Sequence, residues 1–202
     1  MTSEHERLLQ AISPIIVERG LKSTTMDLVA RRLGMSKRTL YEIFDNKPAM
    51  IREVLRYHAE CSIRQMRNII NNSPNVMIAL LRIFDFHRKE MEGMNVSFFK
   101  DMDRLYPEFR DEYEKRHEEH RNYLNELYRK GIKEGVFRPD VNFYILSRFM
   151  QIHSESLKRM EELFPPEITL AEIYGTMTEG FLRAIASREG HDILDNYFHP
   201  ET

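Results

Sequence analysis

The sequence predicts an all-α protein of about nine helices, with a small N-terminal three-helix head and a larger helical body. Three observations carry that prediction. Apolar residues recur at the 3.6-residue spacing of amphipathic helices, and almost nowhere at the two-residue alternation of a strand. The eight prolines and eight glycines fall mostly between those segments or at their ends. No Asn-Gly or Asp-Gly pair marks a hairpin.

The first predicted helix carries Leu8, Leu9, Ile12, Ile15 and Ile16 on one face and ends at Gly20. Pro14 conflicts with it: proline lacks the backbone donor and clashes one turn back, so it kinks the helix or marks its true start. The second helix runs from Thr24 or Thr25 to Leu33. Thr24 with Asp27 has the spacing of a capping box, with Asp in place of the usual Glu or Gln. Gly34-Met35 makes a turn, and Ser36 caps a short third helix ending near Phe44. Leu40 and Phe44 face inward with Ala30, Leu33 and Met35. Asn46 caps a long fourth helix with Lys47 and Pro48 in its first turn, where proline is tolerated.

Further helices are expected over roughly 75–90, 96–106, 107–130, 142–163 and 170–188. Gly131 and Gly190, like Gly20, Gly34, Gly93 and Gly135, sit near segment ends, where a C-terminal cap takes a positive φ. After Gly190 only Ile193, Leu194, Tyr197 and Phe198 give a weak apolar pattern, and partial order is expected. There is no internal repeat and no low-complexity linker. The fourth helix therefore joins a head, residues 1–47, directly to a body, residues 48–202.

Composition narrows the function. A chain of 202 residues supports one large domain or two small ones with a real core. The lone Cys61 excludes a disulfide framework and any multi-cysteine zinc site, and it suits a reducing compartment. No apolar run approaches the ~18 residues of a membrane span. The first residues are polar, without the apolar stretch of a signal peptide, so a cytoplasmic protein with no membrane partner is expected. The net charge of −2 argues at first against nucleic acid. Residues 1–67, however, hold 12 Lys+Arg and 8 Asp+Glu, a net of +4, and the remaining residues carry −6. The neutral average conceals a basic head and an acidic body.

The head contains the order helix, glycine turn, short helix, which is the form of a helix-turn-helix whose second helix enters the major groove of DNA. Lys37 and Arg38 lie in the first turn of that second helix, followed by Thr39, Tyr41 and Glu42. Lys37, Arg38, Thr39 and Tyr41 can all donate to phosphate oxygens or base edges. Two adjacent basic residues alone would read as a solvated face; their place after a capped glycine turn favours contact with DNA. Tyr41 can pack its ring while its hydroxyl faces out. A cation at Lys47 is slightly unfavourable at a helix start, which favours an anionic partner.

Glu18-Arg19-Gly20, Thr24-Thr25, Val29-Ala30, Leu33-Gly34-Met35-Ser36, Thr39-Leu40-Tyr41, Phe44 and Asn46-Lys47 together resemble the N-terminal domain of the tetracycline-repressor (TetR) family of bacterial transcription regulators. The resemblance spans residues 4–57 and departs from the family pattern at Pro14, Arg38 and Glu42-Ile43. It implies a homodimer on a palindromic double-stranded operator, usually acting as a repressor and released by a small-molecule effector. By position it implies that Tyr41 and Lys47 contact phosphate, that Thr25 contacts the DNA backbone, and that Lys37, Arg38, Thr39 and Glu42 face the groove. Arg38 is expected to read a guanine, since its fork matches O6 and N7.

The body is the expected site of a small apolar or aromatic effector. Phe98, Phe99, Met102, Phe149, Met150 and His153 are candidates for its pocket, with plain core packing or a structural histidine as the competing reading. Ile173, Tyr174, Met177, Phe181 and Ile185 recur at helical spacing beside Gly175, Gly180 and Ala184, and offer a dimer seam or a single-chain core. Glu114 and His117 make one Glu-x-x-His, where a di-iron bundle needs two, and His117 and His120 lack zinc-motif spacing. Glu118 completes what reads as a solvated acidic face. No metal and no cofactor are expected. The alternative function is a helical-bundle enzyme or carrier, metal-dependent or not, which a second Glu-x-x-His, a paired buried carboxylate set or a nucleophile elbow would mark; the sequence shows none of the three. A protein-interaction module that has lost DNA binding is disfavoured by the intact Lys37, Tyr41 and Lys47.

Overall fold

In a computed structural model the described residues are 3–95, 97–156, 159, 163–165 and 167–199; side chains are described for all of these except 110–122, 151 and 153–156. Among them are ten helices. They are α1 (Glu4–Arg19), α2 (Met26–Leu33), α3 (Lys37–Ile43), α4 (Lys47–Asn71), α5 (Val76–Met91), α6 (Phe98–Leu105), α7 (Pro107–Lys133), α8 (Phe143–Ser156), α9 (Leu170–Ile185) and α10 (Arg188–Phe198). One isolated antiparallel bridge, Phe137 to Ala186, is the only extended pairing among the described residues. None of the described helices is long and apolar enough to cross a membrane.

The helix count exceeds the expected nine because the chain restarts after α9. Ser187 caps α10 by accepting from the Gly190 N–H, so the weak apolar pattern of the tail is a real helix with Leu194 fully buried. Pro14 does not mark the start of α1. Ser3 does, through a capping box with Glu6, and the helix continues through the proline. The expected Thr24–Asp27 box is also corrected. Thr25 is the cap, accepting from the Leu28 N–H, while Thr24 is buried and its hydroxyl donates 2.8 Å to the Gly20 carbonyl. A buried hydroxyl must find an acceptor, and the α1 terminus supplies one.

The chain divides into two compact units. The first comprises residues 1–65 and 93–109, the second residues 66–92 and 110–202. The backbone therefore passes between units three times, within α4, at residues 92–93, and within α7.

In the first unit Ile12, Ile16, Leu21, Val29, Leu40 and Phe44 form a core with Met50 and Ile51 of α4. A segment distant in sequence closes it. The Asn95 N–H donates 2.9 Å to the Val17 carbonyl, and Phe98 and Tyr106 are buried in the same cluster. Arg52 of α4 clamps this segment, donating from Nε to Glu108 Oε1 at 2.6 Å and standing 5.7 Å over the Tyr106 ring. The guanidinium holds the Glu108 carboxyl below its ordinary range.

In the second unit Met77, Leu81, Phe137, Leu182, Ile185 and Leu194 are buried together. Tyr128 stacks on Phe143 with ring centres 4.2 Å apart. Gly131 and Gly190 are not helix caps. Both lie inside helices, and the positive-φ glycines are Gly20, Gly34, Gly93 and Gly135. Gly131 is required by packing: a Cβ there would stand 2.1 Å from Phe137 Cδ2, inside the ring. It lets the bridge residue Phe137 lie directly on the α7 backbone.

Candidate functional site

The site begins at a turn. Gly34 ends α2 at φ 65°, a left-handed conformation that a Cβ disfavours, and its N–H reaches the Ala30 carbonyl. The Met35 N–H adds a second bond to the same carbonyl at 2.9 Å. Ser36 then caps α3, its Oγ accepting from the Thr39 N–H at 3.0 Å. Such a cap is worth about 1 kcal/mol, a large share for a helix of seven residues. Leu40 and Phe44 bury one side of α3 completely. The rotation of α3 is thereby fixed, and its other side carries Lys37, Arg38, Thr39, Tyr41 and Glu42, all exposed.

These exposed groups are not idle. Lys37 Nζ lies 2.9 Å from Asp27 Oδ1 on α2, and this hydrogen-bonded carboxylate raises the lysine above its ordinary range. Arg38 Nε donates 3.0 Å to Glu42 Oε1 one turn on, with the arginine 90% exposed. The Thr39 and Ser36 hydroxyls share a 2.8 Å hydrogen bond. The Tyr41 ring is 45% exposed, with Lys37 Nζ 6.0 Å from its centre. Thr25, the exposed cap of α2, uses its oxygen to accept from Leu28 and keeps its hydroxyl proton for another acceptor. Lys47 differs. Its ammonium donates 2.8 Å to the Lys22 carbonyl in the α1–α2 turn, and partial burial lowers its pKa against the pull of Asp101. It ties the start of α4 to the turn before α2.

The six residues proposed for a pocket do not meet in one place. Phe98 is buried in the first unit, edge-on to Phe99 at 5.7 Å, and Phe99 and Met102 pack on that same core. Phe149 and Met150 lie on α8 in the second unit, with Phe149 58% exposed. The His153 side chain lies outside the described residues, as do those of Glu114, His117, Glu118 and His120. The seam candidates of α9 divide between buried Ile173 and Ile185 and half-buried Tyr174, Met177 and Phe181. Phe181 leans on Phe143 at 6.1 Å, and Tyr174 stacks on Phe84 at 5.8 Å. The Tyr174 hydroxyl bonds His87 Nδ1 at 3.2 Å, and burial pushes it up to about 12.

Sequence reading missed two features. Asp27, whose spacing from Thr24 suggests a cap, is instead the partner of Lys37. A cavity of about 1040 Å³ in the second unit lies between α5, α9, α10 and the approach to α9, and Met177 is the one seam candidate beside Ile173 that lines it. Its signal in sequence is slight: Asp85 and Arg88 interrupt the apolar run of α5, and Tyr197 and Phe198 stand in the tail. Exposed apolar residues of the second unit concentrate on α8, where Ile145, Phe149 and Ile152 follow i, i+4, i+7 with Tyr144 beside them. Among the described residues no group of three His, Cys, Asp or Glu side chains is placed to hold a metal ion.

Residues 8–54, the span from α1 through the helix-turn-helix into α4, match the sequence profile of bacterial regulatory proteins of the tetR family. Over that span the chain carries the tetR-family signature. It is 29% identical over 155 residues to the HTH-type transcriptional repressor KstR2 of Mycobacterium tuberculosis, an alignment covering 75% of this chain and 78% of KstR2. The solved structure of that ketosteroid transcriptional regulator superposes with a TM-score of 0.57 at 23% identity, covering 93% of this chain and 97% of the other. A transcriptional regulator from Saccharomonospora viridis in complex with choline superposes with a TM-score of 0.67 at 19% identity, covering 93% and 100%. At these identities the two structures attest the shared all-helical fold.

Proposed function

We propose that this tetR-family chain is a ligand-responsive DNA-binding transcription regulator, a repressor rather than an enzyme, that works in the cytoplasm as a homodimer on a palindromic operator. The observation that carries the reading is the outer face of α3. Four donors, Lys37, Arg38, Thr39 and Tyr41, project from a short helix whose rotation is set by the Gly34 turn, the Ser36 cap and the buried Leu40 and Phe44. Entry of α3 into the major groove places Arg38 on a guanine edge and Lys37, Tyr41 and the Thr25 hydroxyl toward phosphates, with Thr39 and Glu42 beside Arg38 in the groove. Lys47 contributes indirectly by holding the α1–α2 turn, with ammonium protons left over for a phosphate.

The reading head is residues 1–47, and α4 is the connector to the effector-binding and dimerising body. A ligand that prefers one conformer of the body shifts the population toward it, and the passage of α4 between the two units transmits the shift to the heads. Two heads bound to successive major grooves stand about 34–36 Å apart, so a small change in their spacing is enough to lose one half-site. The dimer seam draws on α8 and α9: the exposed stripe of Tyr144, Ile145, Phe149 and Ile152 on α8, and the half-buried Tyr174, Met177 and Phe181 on α9, whereas Ile173 and Ile185 are buried in the protomer's own core.

Selection of duplexes from a random pool at two salt concentrations tests the first claim. A palindrome with a steep salt slope is expected; no enrichment refutes DNA reading. Light scattering after size exclusion tests the second, and a strictly monomeric 24.2 kDa species refutes the dimer.

A further inference from the structure

The cavity in the second unit differs in residues and in charge from the pocket expected around Phe98, Phe99, Met102, Phe149, Met150 and His153. Its aromatic wall is continuous. Phe84 meets Phe198 at 5.9 Å between ring centres, and Phe198 meets Tyr197 edge-on at 4.9 Å. Phe164, Ile168 and Met177 extend the apolar lining. The cavity is a cleft open to solvent, and its volume of about 1040 Å³ accommodates a whole small molecule.

Charge decides what kind. Three carboxylates line the cavity, Asp85, Glu172 and Glu179, against the single guanidinium of Arg88. Arg88 is already shared, 3.8 Å from Asp85 and 3.4 Å from Glu92. Glu179 is met by Arg183 at 2.8 Å, and that arginine is shared with Asp195 at 2.7 Å. Glu172 accepts from the Thr169 N–H at 2.7 Å and its hydroxyl at 2.8 Å, which fixes the carboxylate in its ionised form. Each cation near the cavity is thus divided between two carboxylates, and Glu172 has no cation partner among the described residues. An anionic ligand would enter against this field. A cation gains from the carboxylates and from the faces of the rings.

We propose that this cavity binds an organic cation with an apolar or aromatic body, such as a quaternary ammonium or phosphonium ion. Binding stands on the cavity alone; only its role as effector rests on the regulator reading above.

The probes are tetraphenylphosphonium and tetraphenylborate, which have nearly the same shape and opposite charge. Calorimetric titration of the full-length protein is expected to show saturable binding of the cation, at least about tenfold tighter than the anion. Asp85→Asn and Glu172→Gln should each weaken the cation several-fold, and Arg88→Gln should tighten it. Gln at 172 retains the capping geometry, and helical circular dichroism of each variant confirms folding. Equal or tighter binding of the borate overturns the proposal. So does the absence of saturable binding, including a cavity closed by a second copy, or cation binding that ignores both carboxylate substitutions. Selection of an operator by the same preparation is scored separately. An operator without cation binding overturns the site and leaves the regulator, whereas cation binding without an operator overturns the regulator and leaves the site.

Discussion

Replacement of Arg38 by alanine separates a base contact from a phosphate contact, and the structure sets its expected size. In the free protein the guanidinium is 90% exposed and held only by Glu42 at 3.0 Å. An exposed i,i+4 pair of this kind is worth about 0.3–0.5 kcal/mol. Alanine is also the better helix former, so Arg38→Ala should leave folding stability within about 0.5 kcal/mol of the parent. A guanidinium forked onto guanine O6 and N7 contributes about 1–3 kcal/mol of discrimination. Each half-site should then lose about 5- to 150-fold in affinity. Fluorescence anisotropy with the selected duplex and its single-base variants reads this directly. The loss should vanish at one position of each half-site, where the variant protein no longer distinguishes bases, and discrimination elsewhere should persist. Glu42→Gln supplies the reciprocal check. It removes the carboxylate that competes for Arg38, and binding should tighten about twofold for the same 0.3–0.5 kcal/mol. A uniform loss over all duplexes would make Arg38 a phosphate contact and refute the reasoning. A fall in stability beyond about 1 kcal/mol would refute the premise that the pair is a weak surface contact.

Lys37→Gln should weaken binding about equally on all sequences and reduce the logarithmic salt slope by about 1 per half-site; an unchanged slope places the lysine off the phosphates. Gly131→Ala should lower stability by about 1–3 kcal/mol, or more if the backbone cannot shift, because its Cβ would fall inside the Phe137 ring. Thermal melting checks it, and an unchanged midpoint would mean the ring moves freely. Arg138 holds the Asp140 carboxyl at about 2, below its ordinary 3.8. A depressed acid stabilises the fold above its unfolded pKa and loses that contribution as pH falls from about 4 toward 2. Urea melts at pH 5 and pH 2.5 should show a smaller acid loss for Asp140→Asn than for the parent, and equal losses would sink the assignment.

The all-helical class and the reading head were legible because local chemistry decides both. Ser36, Gly34 and Leu40 act within a few residues of one another, so cap, turn and buried side all stand in one short stretch of sequence. The errors arose where distant residues compete. Thr24 and Thr25 are equal as cap candidates until the Gly20 carbonyl claims the Thr24 hydroxyl. Gly131 looks like a cap until Phe137 is laid on α7. The α9 residues have ideal spacing for a seam, but helical spacing says only that one face is apolar. Phe84, His87 and Phe143, far away in the chain, engage Tyr174 and Phe181 within the protomer. The cavity was invisible for the same reason, since α9 supplies half of its lining and only the fold brings α5, α10 and the approach to α9 to complete it.

The basic head has a further consequence for how DNA would be held. The net +4 of residues 1–67 is a sum over groups several of which are paired already. Lys37 sits on Asp27, Arg38 on Glu42, and Arg19 and Arg32 both on Glu18. A phosphate or base that recruits Lys37 or Arg38 must therefore replace a carboxylate rather than water alone, and the carboxylate left behind stays close to the duplex. Both effects reduce the gain per contact relative to a free lysine or arginine. One head alone should then bind weakly, and affinity has to come from two heads joined in one molecule, where the second binds at high effective concentration. This weakness is what makes the proposed control workable. If each head bound strongly by itself, a change in spacing would leave one head attached and the operator still occupied. With weak heads, losing register at one half-site removes most of the affinity at once.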